Sequence, residues 1–468
     1  MAVAGVAVAC RQPAPGAPAP APSLAAAQAT AAPVNVTRTS PVTPQPEAGL
    51  ESNPLPAATA APAFSGPVSP PCGVLLNPLP VETVSSVELS VSDSTRADLR
   101  SLAPEAAWPA LQRLLDAPGT VGLVAYQAGR ETEGIYLNAD LPIPLASVAK
   151  IITLVAYAEA VASGEVNPQE QVTLAELDRY YLPNFDLGAH RRAINELRQN
   201  DGLISPDADP TVTLDNVAWM MIRHSSNAAA DYLHLRLGQA RIEETAIALG
   251  LNDAPGSHSA PCTFLGQFLM MGNHSRGSAN DRAILTGYAA GGPTGAADYG
   301  RDVALLADSY INQSDFREAE QAWRESTRRP ATDTQRYFAE RLAPQGTAGG
   351  YAALMRRLAQ NGLSNADSSF QARRILEWPN QFTANQDIFS NVGYKNGSLA
   401  GVLNTAYYAY RWDDLSPVIV VLFFRDIPQQ TYRQWRFDLP HDELARWLLA
   451  DPAAIPALSA ALHDSAIP

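Results

Sequence analysis

Ser147-Val148-Ala149-Lys150 sets a hydroxyl and a primary amine three residues apart. Pro144 stands just upstream, and the apolar run Ile151-Ile152-Thr153-Leu154-Val155 follows directly. The stretch is expected to open a helix whose first turn carries both side chains on one face. A serine hydroxyl becomes a useful nucleophile when a neighbouring base takes its proton, and a partly desolvated lysine can be that base. First-turn amides carry partial positive charge, which suits an oxyanion forming beside the serine.

Composition sharpens this reading. The chain holds 33 Lys+Arg, yet only Lys150 and Lys395 are lysines. A protein that otherwise builds positive charge from arginine has kept lysine where a compact, deprotonatable cation is useful. Lys395 lies in Tyr394-Lys395-Asn396-Gly397-Ser398, near the end of an expected strand. A further polar cluster, Ser225-Ser226-Asn227, falls in a short loop expected between two helices.

The elements that must position these groups follow from periodicity. Residues 94–116 carry leucines on a helical rhythm. Val121 to Tyr126 and Gly134 to Leu137 read as a hairpin around Gly129. Residues 180–210 are polar and aperiodic and read as a surface excursion. Thr213 is placed to N-cap a helix that runs into the Ser225 loop. Residues 272–346 read as an insertion, Gly-rich to about 300 and then a helical hairpin, a lid or a packing insert. Phe389 to Leu399, Asn404 to Tyr410 and Val418 to Phe424 read as strands, and His441 to Ala450 as a closing amphipathic helix. The fold class expected is α+β: a five-stranded antiparallel sheet flanked by helices, plus a helical subdomain.

The chain of 468 residues is 46% hydrophobic and 17% charged, which is ample for a real core. A net charge of −14 argues against a nucleic-acid partner and against attraction to an anionic membrane surface. Ala7-Val8-Ala9-Cys10, after a short apolar run, resembles a bacterial lipobox, with Cys10 as the lipidated residue. Residues 11–93 are Pro/Ala-rich and are expected to form a disordered tether, followed by a globular domain over 94–458 and a tail over 459–468. Such a protein would be exported, on the extracellular or periplasmic face of the cell membrane, touching that membrane only through its anchor. Cys72 and Cys262 are expected either to pair or to remain two thiols. His224 reads as a capping or packing group, and His258 and His274 lack metal-ligand spacing, so neither a metal nor a cofactor is expected.

The three polar clusters, in this order, resemble the motifs of the penicillin-recognising serine hydrolases: class A β-lactamases and DD-peptidases. Ser147 to Lys150 matches their S-x-x-K, Ser225 to Asn227 their S-x-N, and Lys395 to Gly397 their K-T-G. The resemblance spans roughly residues 109–449. It implies that Ser147 attacks a carbonyl to form an acyl-enzyme, with Lys150 as base and Ser225 passing a proton to the leaving nitrogen. It further implies that Asn227, Lys395, Gly397 and Ser398 bind substrate, the amides of Ser147 and Ser398 forming the oxyanion hole. The substrate would be a cell-wall peptide or related small amide or ester, and the protein a monomer.

Two departures stand out. Asn396 replaces the family's Thr or Ser, and no E-x-x-L-N string supplies the glutamate with which class A enzymes deacylate. Three readings stay open: a hydrolase or transpeptidase-like enzyme, a β-lactamase with atypical deacylation, and a non-catalytic binding lipoprotein.

Overall fold

The computed structural model describes residues 72–77, 89–200, 202–204, 210–250, 261–277, 280–326 and 329–463. Cys10, most of the expected tether and His258 lie outside them. Five strands form one antiparallel sheet: β1 (Val121–Gln127), β2 (Ile135–Leu137), β3 (Phe389–Leu399), β4 (Val402–Arg411) and β5 (Val418–Phe424), in the order β2-β1-β5-β4-β3. The last strand in sequence sits at the centre, as its unbroken apolar run requires, and every one of its residues is buried.

Register assigns the two faces. Gly397 pairs with Asn404, Asn404 with Phe423, and Phe423 with Gly122. These four therefore point one way, with Lys395 two residues from Gly397 on the same face. Helix Ala348–Ala359 covers this side, where Tyr351 meets the Phe423 ring edge-on. The opposite face carries Tyr394 and Tyr407, whose hydroxyls bond Asp442 of helix Pro440–Ala450. Terminal elements on one side and the helical middle on the other is the expected α+β layering.

Several boundaries differ from expectation, each for a local reason. The helix read over 94–116 is two, Asp93–Leu102 and Trp108–Asp116, because Pro104 forces Ala103 into extended backbone. Residues 180–210 include an amphipathic helix, Ala189–Gln199, which buries Ala189, His190, Ala193 and Leu197. Among its described residues the insertion holds four helices (Asp281–Ala290, Gly292–Asn312, Ser314–Ser326 and Thr332–Arg341), so helix begins well before residue 300. Helix Ala454–His463 packs Leu458 and Leu462 into the core, where a tail was expected from 459.

The tether boundary at 93 is also too late. Cys72, Val74 and Leu76 are buried, and Val74 N–H donates to Gln345 O at 3.2 Å. Cys72 is disulfide-bonded to Cys262, so the pairing left open by spacing is made. Among the described residues no helix is long and apolar enough to cross a membrane.

Candidate active site

Ser147 lies in a 3₁₀ turn, Ala146–Ala149, that leads into helix Lys150–Ala162. A 3₁₀ turn has three residues per turn, so side chains at i and i+3 eclipse. That is why Lys150 Nζ reaches to 3.0 Å from Ser147 Oγ. Ala146 enters the turn at φ +51°, a left-handed conformation held by neighbouring contacts. One of them is Asn404, buried on β4, whose Nδ2 donates to Pro144 O at 2.7 Å and Leu145 O at 3.3 Å. Asn404 belongs to none of the three motifs, and only the β3–β4 register brings it here.

The Ser225 loop joins helices Leu214–Arg223 and Asn227–Leu237. It turns on Ser225 at φ +64°. Thr213 N-caps the first helix as expected, accepting from Asn216 N. The loop presents three acceptors to the base. Lys150 Nζ lies 2.6 Å from Asn227 Oδ1, 2.8 Å from Ser225 O and 3.3 Å from Ser225 Oγ. Lys395 comes in from β3, its Nζ 3.0 Å from Ser225 Oγ and 2.9 Å from Asn396 O. Both lysine side chains thus meet at one hydroxyl, and Ser147, Lys150, Ser225, Asn227 and Lys395 converge across almost 250 residues of sequence.

Gly397 explains the close approach of β3. A Cβ there would stand 2.5 Å from Leu145 O and 3.0 Å from Ser147 N, so the strand passes directly against the nucleophile turn. Ser398 follows on the strand. Asn396, in place of the family's hydroxyl residue, turns its amide oxygen to within 3.3 Å of Lys395 Nζ.

Electrostatics favour a neutral Lys150. The side chain is buried, and burial first, then the charge of Lys395, holds its pKa well below the usual lysine value, against smaller opposing effects of Asp231 and Asp186. Hydrogen-bond arithmetic accommodates this. Asn227 Oδ1 and Ser225 O are obligate acceptors, so in the neutral form they take both N–H groups and the lone pair is left for the Ser147 hydroxyl; in the charged form the third N–H donates to Ser147 Oγ.

Asp231 was not anticipated, since a lone aspartate inside a helix carries no motif. Its carboxyl accepts from Phe264 N at 2.8 Å and Leu265 N at 2.7 Å, N-capping helix Phe264–Met271 from another element. The capped helix places the Phe264 ring 4.3 Å from Lys150 Nζ. An aromatic ring therefore lies over the base on the segment after the S-x-N loop, where the resemblance would have a glutamate. Glu320, from the insertion, is fully buried against Arg324 and His274.

Burial raises the Asp231 carboxyl to about 7, opposed by its two N–H donors and by Lys150. A raised folded pKa means the folded state keeps a proton that the unfolded chain has released. Stability therefore falls as pH rises from about 4 to about 7. Asp231→Asn keeps an acceptor but removes this titration. The difference in unfolding free energy between parent and variant is expected to change by roughly 4 kcal/mol between about pH 4 and about pH 7.5, read from urea unfolding at both pH values.

A model of the Beta-lactamase enzyme family matches residues 106–435, more than half of the chain. Among solved structures, the chain is similar to a β-lactamase from Sphaerobacter thermophilus, with 16% identity, 77% of this chain and 100% of that one covered, and a TM-score of 0.43. It is also similar to a mutant of PBP-A solved as an acyl-enzyme complex with penicillin G, with 12% identity, coverage of 82% and 100%, and a TM-score of 0.42. A variant of the class A β-lactamase assigned to the last common ancestor of Gram-negative bacteria gives 13% identity, coverage of 79% and 99%, and a TM-score of 0.40. No curated protein matches the sequence.

Proposed function

Because the chain belongs to the β-lactamase enzyme family, we propose that it is a serine hydrolase forming an acyl-enzyme on Ser147 from a cell-wall peptide or a related amide or ester, and releasing the acyl group slowly. The observation that carries the first half is the buried Lys150 Nζ, 3.0 Å from Ser147 Oγ and also bonded to Ser225 O and Asn227 Oδ1. Neutral Lys150 takes the Ser147 proton as Oγ bonds to the substrate carbonyl carbon. The carbonyl oxygen becomes an oxyanion facing the Ser147 amide and the adjacent β3 backbone at Ser398. The proton then passes through Ser225 Oγ, which lies within reach of both ammonium groups, to the leaving nitrogen or oxygen as the C–N or C–O bond breaks. Asn227 would hold a substrate amide and Lys395 a substrate carboxylate.

The second half rests on what surrounds Lys150. Deacylation needs a base that holds and activates a water. The Phe264 ring covers this side of the site. Among the described residues, the carboxyl groups whose charge reaches Lys150 are Asp231 and Asp186, and both oxygens of each already accept backbone N–H groups: from Phe264 and Leu265 for Asp231, and from Gly188 and His190 for Asp186. The reaction is placed outside the cytoplasm, a reading that the Cys72–Cys262 disulfide supports; anchoring through Cys10 would hold the domain at the membrane.

A pulse of fluorescent penicillin followed by an unlabelled chase tests the proposal. The label is expected to persist for many minutes. Loss within seconds would instead identify an efficient β-lactamase, and absence of label a non-catalytic binding protein.

A further inference from the structure

Ser226, the middle residue of the S-x-N loop, is completely buried and cannot touch a substrate. It nevertheless ends a chain of three side chains. Its Oγ lies 3.0 Å from His190 Nδ1, and His190 Nε2 lies 3.1 Å from Asp178 Oδ1. The serine–histidine–aspartate order is that of a nucleophilic triad, but burial excludes attack by Ser226. We infer that His190 is a positioning residue for acylation, holding Ser226 so that Ser225 and Asn227 keep their places around Lys150. This rests on the acyl-enzyme reading above.

The partners assign the tautomer. With the ring neutral, a carboxylate at Asp178 accepts from His190 Nε2–H, and Nδ1 is left to accept the Ser226 hydroxyl hydrogen. Ser226 Oγ in turn accepts from Ala229 N at 3.2 Å, capping helix Asn227–Leu237. The bonds run in one direction: Ala229 N–H to Ser226, Ser226 O–H to His190, His190 N–H to Asp178. The ring itself is fixed. It stacks on Tyr181 at 5.1 Å, while the backbone N–H of His190 donates to Asp186 Oδ2 at 2.7 Å and holds the main chain beneath it.

Such anchoring has a use one residue away. Ser225 holds a left-handed conformation that is strained for a non-glycine residue and persists only where surrounding contacts over-determine it. Ser225 itself is held by Lys150 and Lys395, and on its C-terminal side the contacts are the Ser226 N–H to Met220 O bond, at 3.1 Å, and the Ser226 side chain. Free the Ser226 hydroxyl from His190, and the loop can relax, moving Ser225 Oγ away from Lys395 Nζ and Asn227 Oδ1 away from Lys150. His190 comes from helix Ala189–Gln199, outside all three motifs.

The test compares His190→Ala, His190→Asn and His190→Gln in the full chain. Asn sets an acceptor near the position of Nδ1, whereas Gln reaches toward Asp178. Acylation by fluorescent penicillin is resolved into an apparent binding constant and an acylation rate constant, with thermal unfolding measured alongside. His190→Ala is expected to lose about a hundredfold in the rate constant, the scale of a misplacement of about 1 Å, and less in binding. His190→Asn is expected to recover most of the loss and His190→Gln little. A parental rate in His190→Ala, or equal rates in Asn and Gln, overturns the inference. If Ala does not fold, the Asn–Gln comparison decides. If the parent itself takes no label, the acyl-enzyme reading fails, and a crystal structure of His190→Asn beside His190→Gln decides the positioning: Ser225 at positive φ in both contradicts it, and release in Gln alone supports it.

Discussion

Lys150→Met is expected to acylate at least about a thousandfold more slowly than the parent, within the range that a positioned general base contributes. Methionine is unbranched, close to lysine in volume and one atom shorter, so it keeps most of the packing and the loss isolates the amine. Stability is expected to hold or rise. Burying the Lys150 amine costs desolvation that methionine avoids, which offsets the donor lost to Asn227 Oδ1 and Ser225 O. A variant that is dead but at least as stable is the signature of a residue kept for chemistry. The pH dependence has a definite sign. Lys150 is active when neutral, and its pKa lies well below the usual lysine value, so the parental acylation rate falls as pH drops through that lowered pKa and levels off above it. The residual rate of Lys150→Met is expected to lack this limb. Stopped-flow acylation across pH, beside thermal unfolding, checks both.

Gly397→Ala is expected to cost at least about a hundredfold in acylation, on the scale of losing one oxyanion donor. The added methyl would lie 2.5 Å from Leu145 O, and that carbonyl cannot yield freely. It accepts from Val148 N–H in the nucleophile turn and from Asn404 Nδ2. The strand must back away, carrying Lys395 and the Ser398 amide from Ser147. Gly287→Ala is the matched control. It sits in helix Asp281–Ala290 with nothing near its added Cβ, and is expected to leave acylation unchanged while raising stability by up to about 1 kcal/mol. Equal effects of the two substitutions would remove the argument for a close β3.

Much of the site was legible because its chemistry sits in short motifs. Ser147 to Lys150 is a local i, i+3 pair, and the two lysines of the chain turn out to share a hydroxyl partner. The strands were legible too: Val418 to Phe424 has no polar residue to place it anywhere but the centre. What escaped was carried by contacts distant in sequence. Asp231 caps a helix that starts 33 residues later, Asn404 reaches back about 260 residues to Pro144, and His190 lies in a segment whose polarity hid its amphipathic rhythm. Phe264 is the clearest case. The sequence shows that a glutamate string is missing, but only the capped helix shows that a ring stands over the base instead. The early limit of the core, at Cys72, was obscured because a few buried residues follow a long Pro/Ala-rich run without any period of their own.

The central claim is that Ser147 is a nucleophile made competent by Lys150. Intact-protein mass spectrometry after incubation with benzylpenicillin tests it most directly, with Ser147→Ala in parallel. The account predicts one added penicilloyl mass on the parent, located to the peptide containing Ser147, and none on the variant. An unmodified parent, or a variant that still gains the mass, would contradict it.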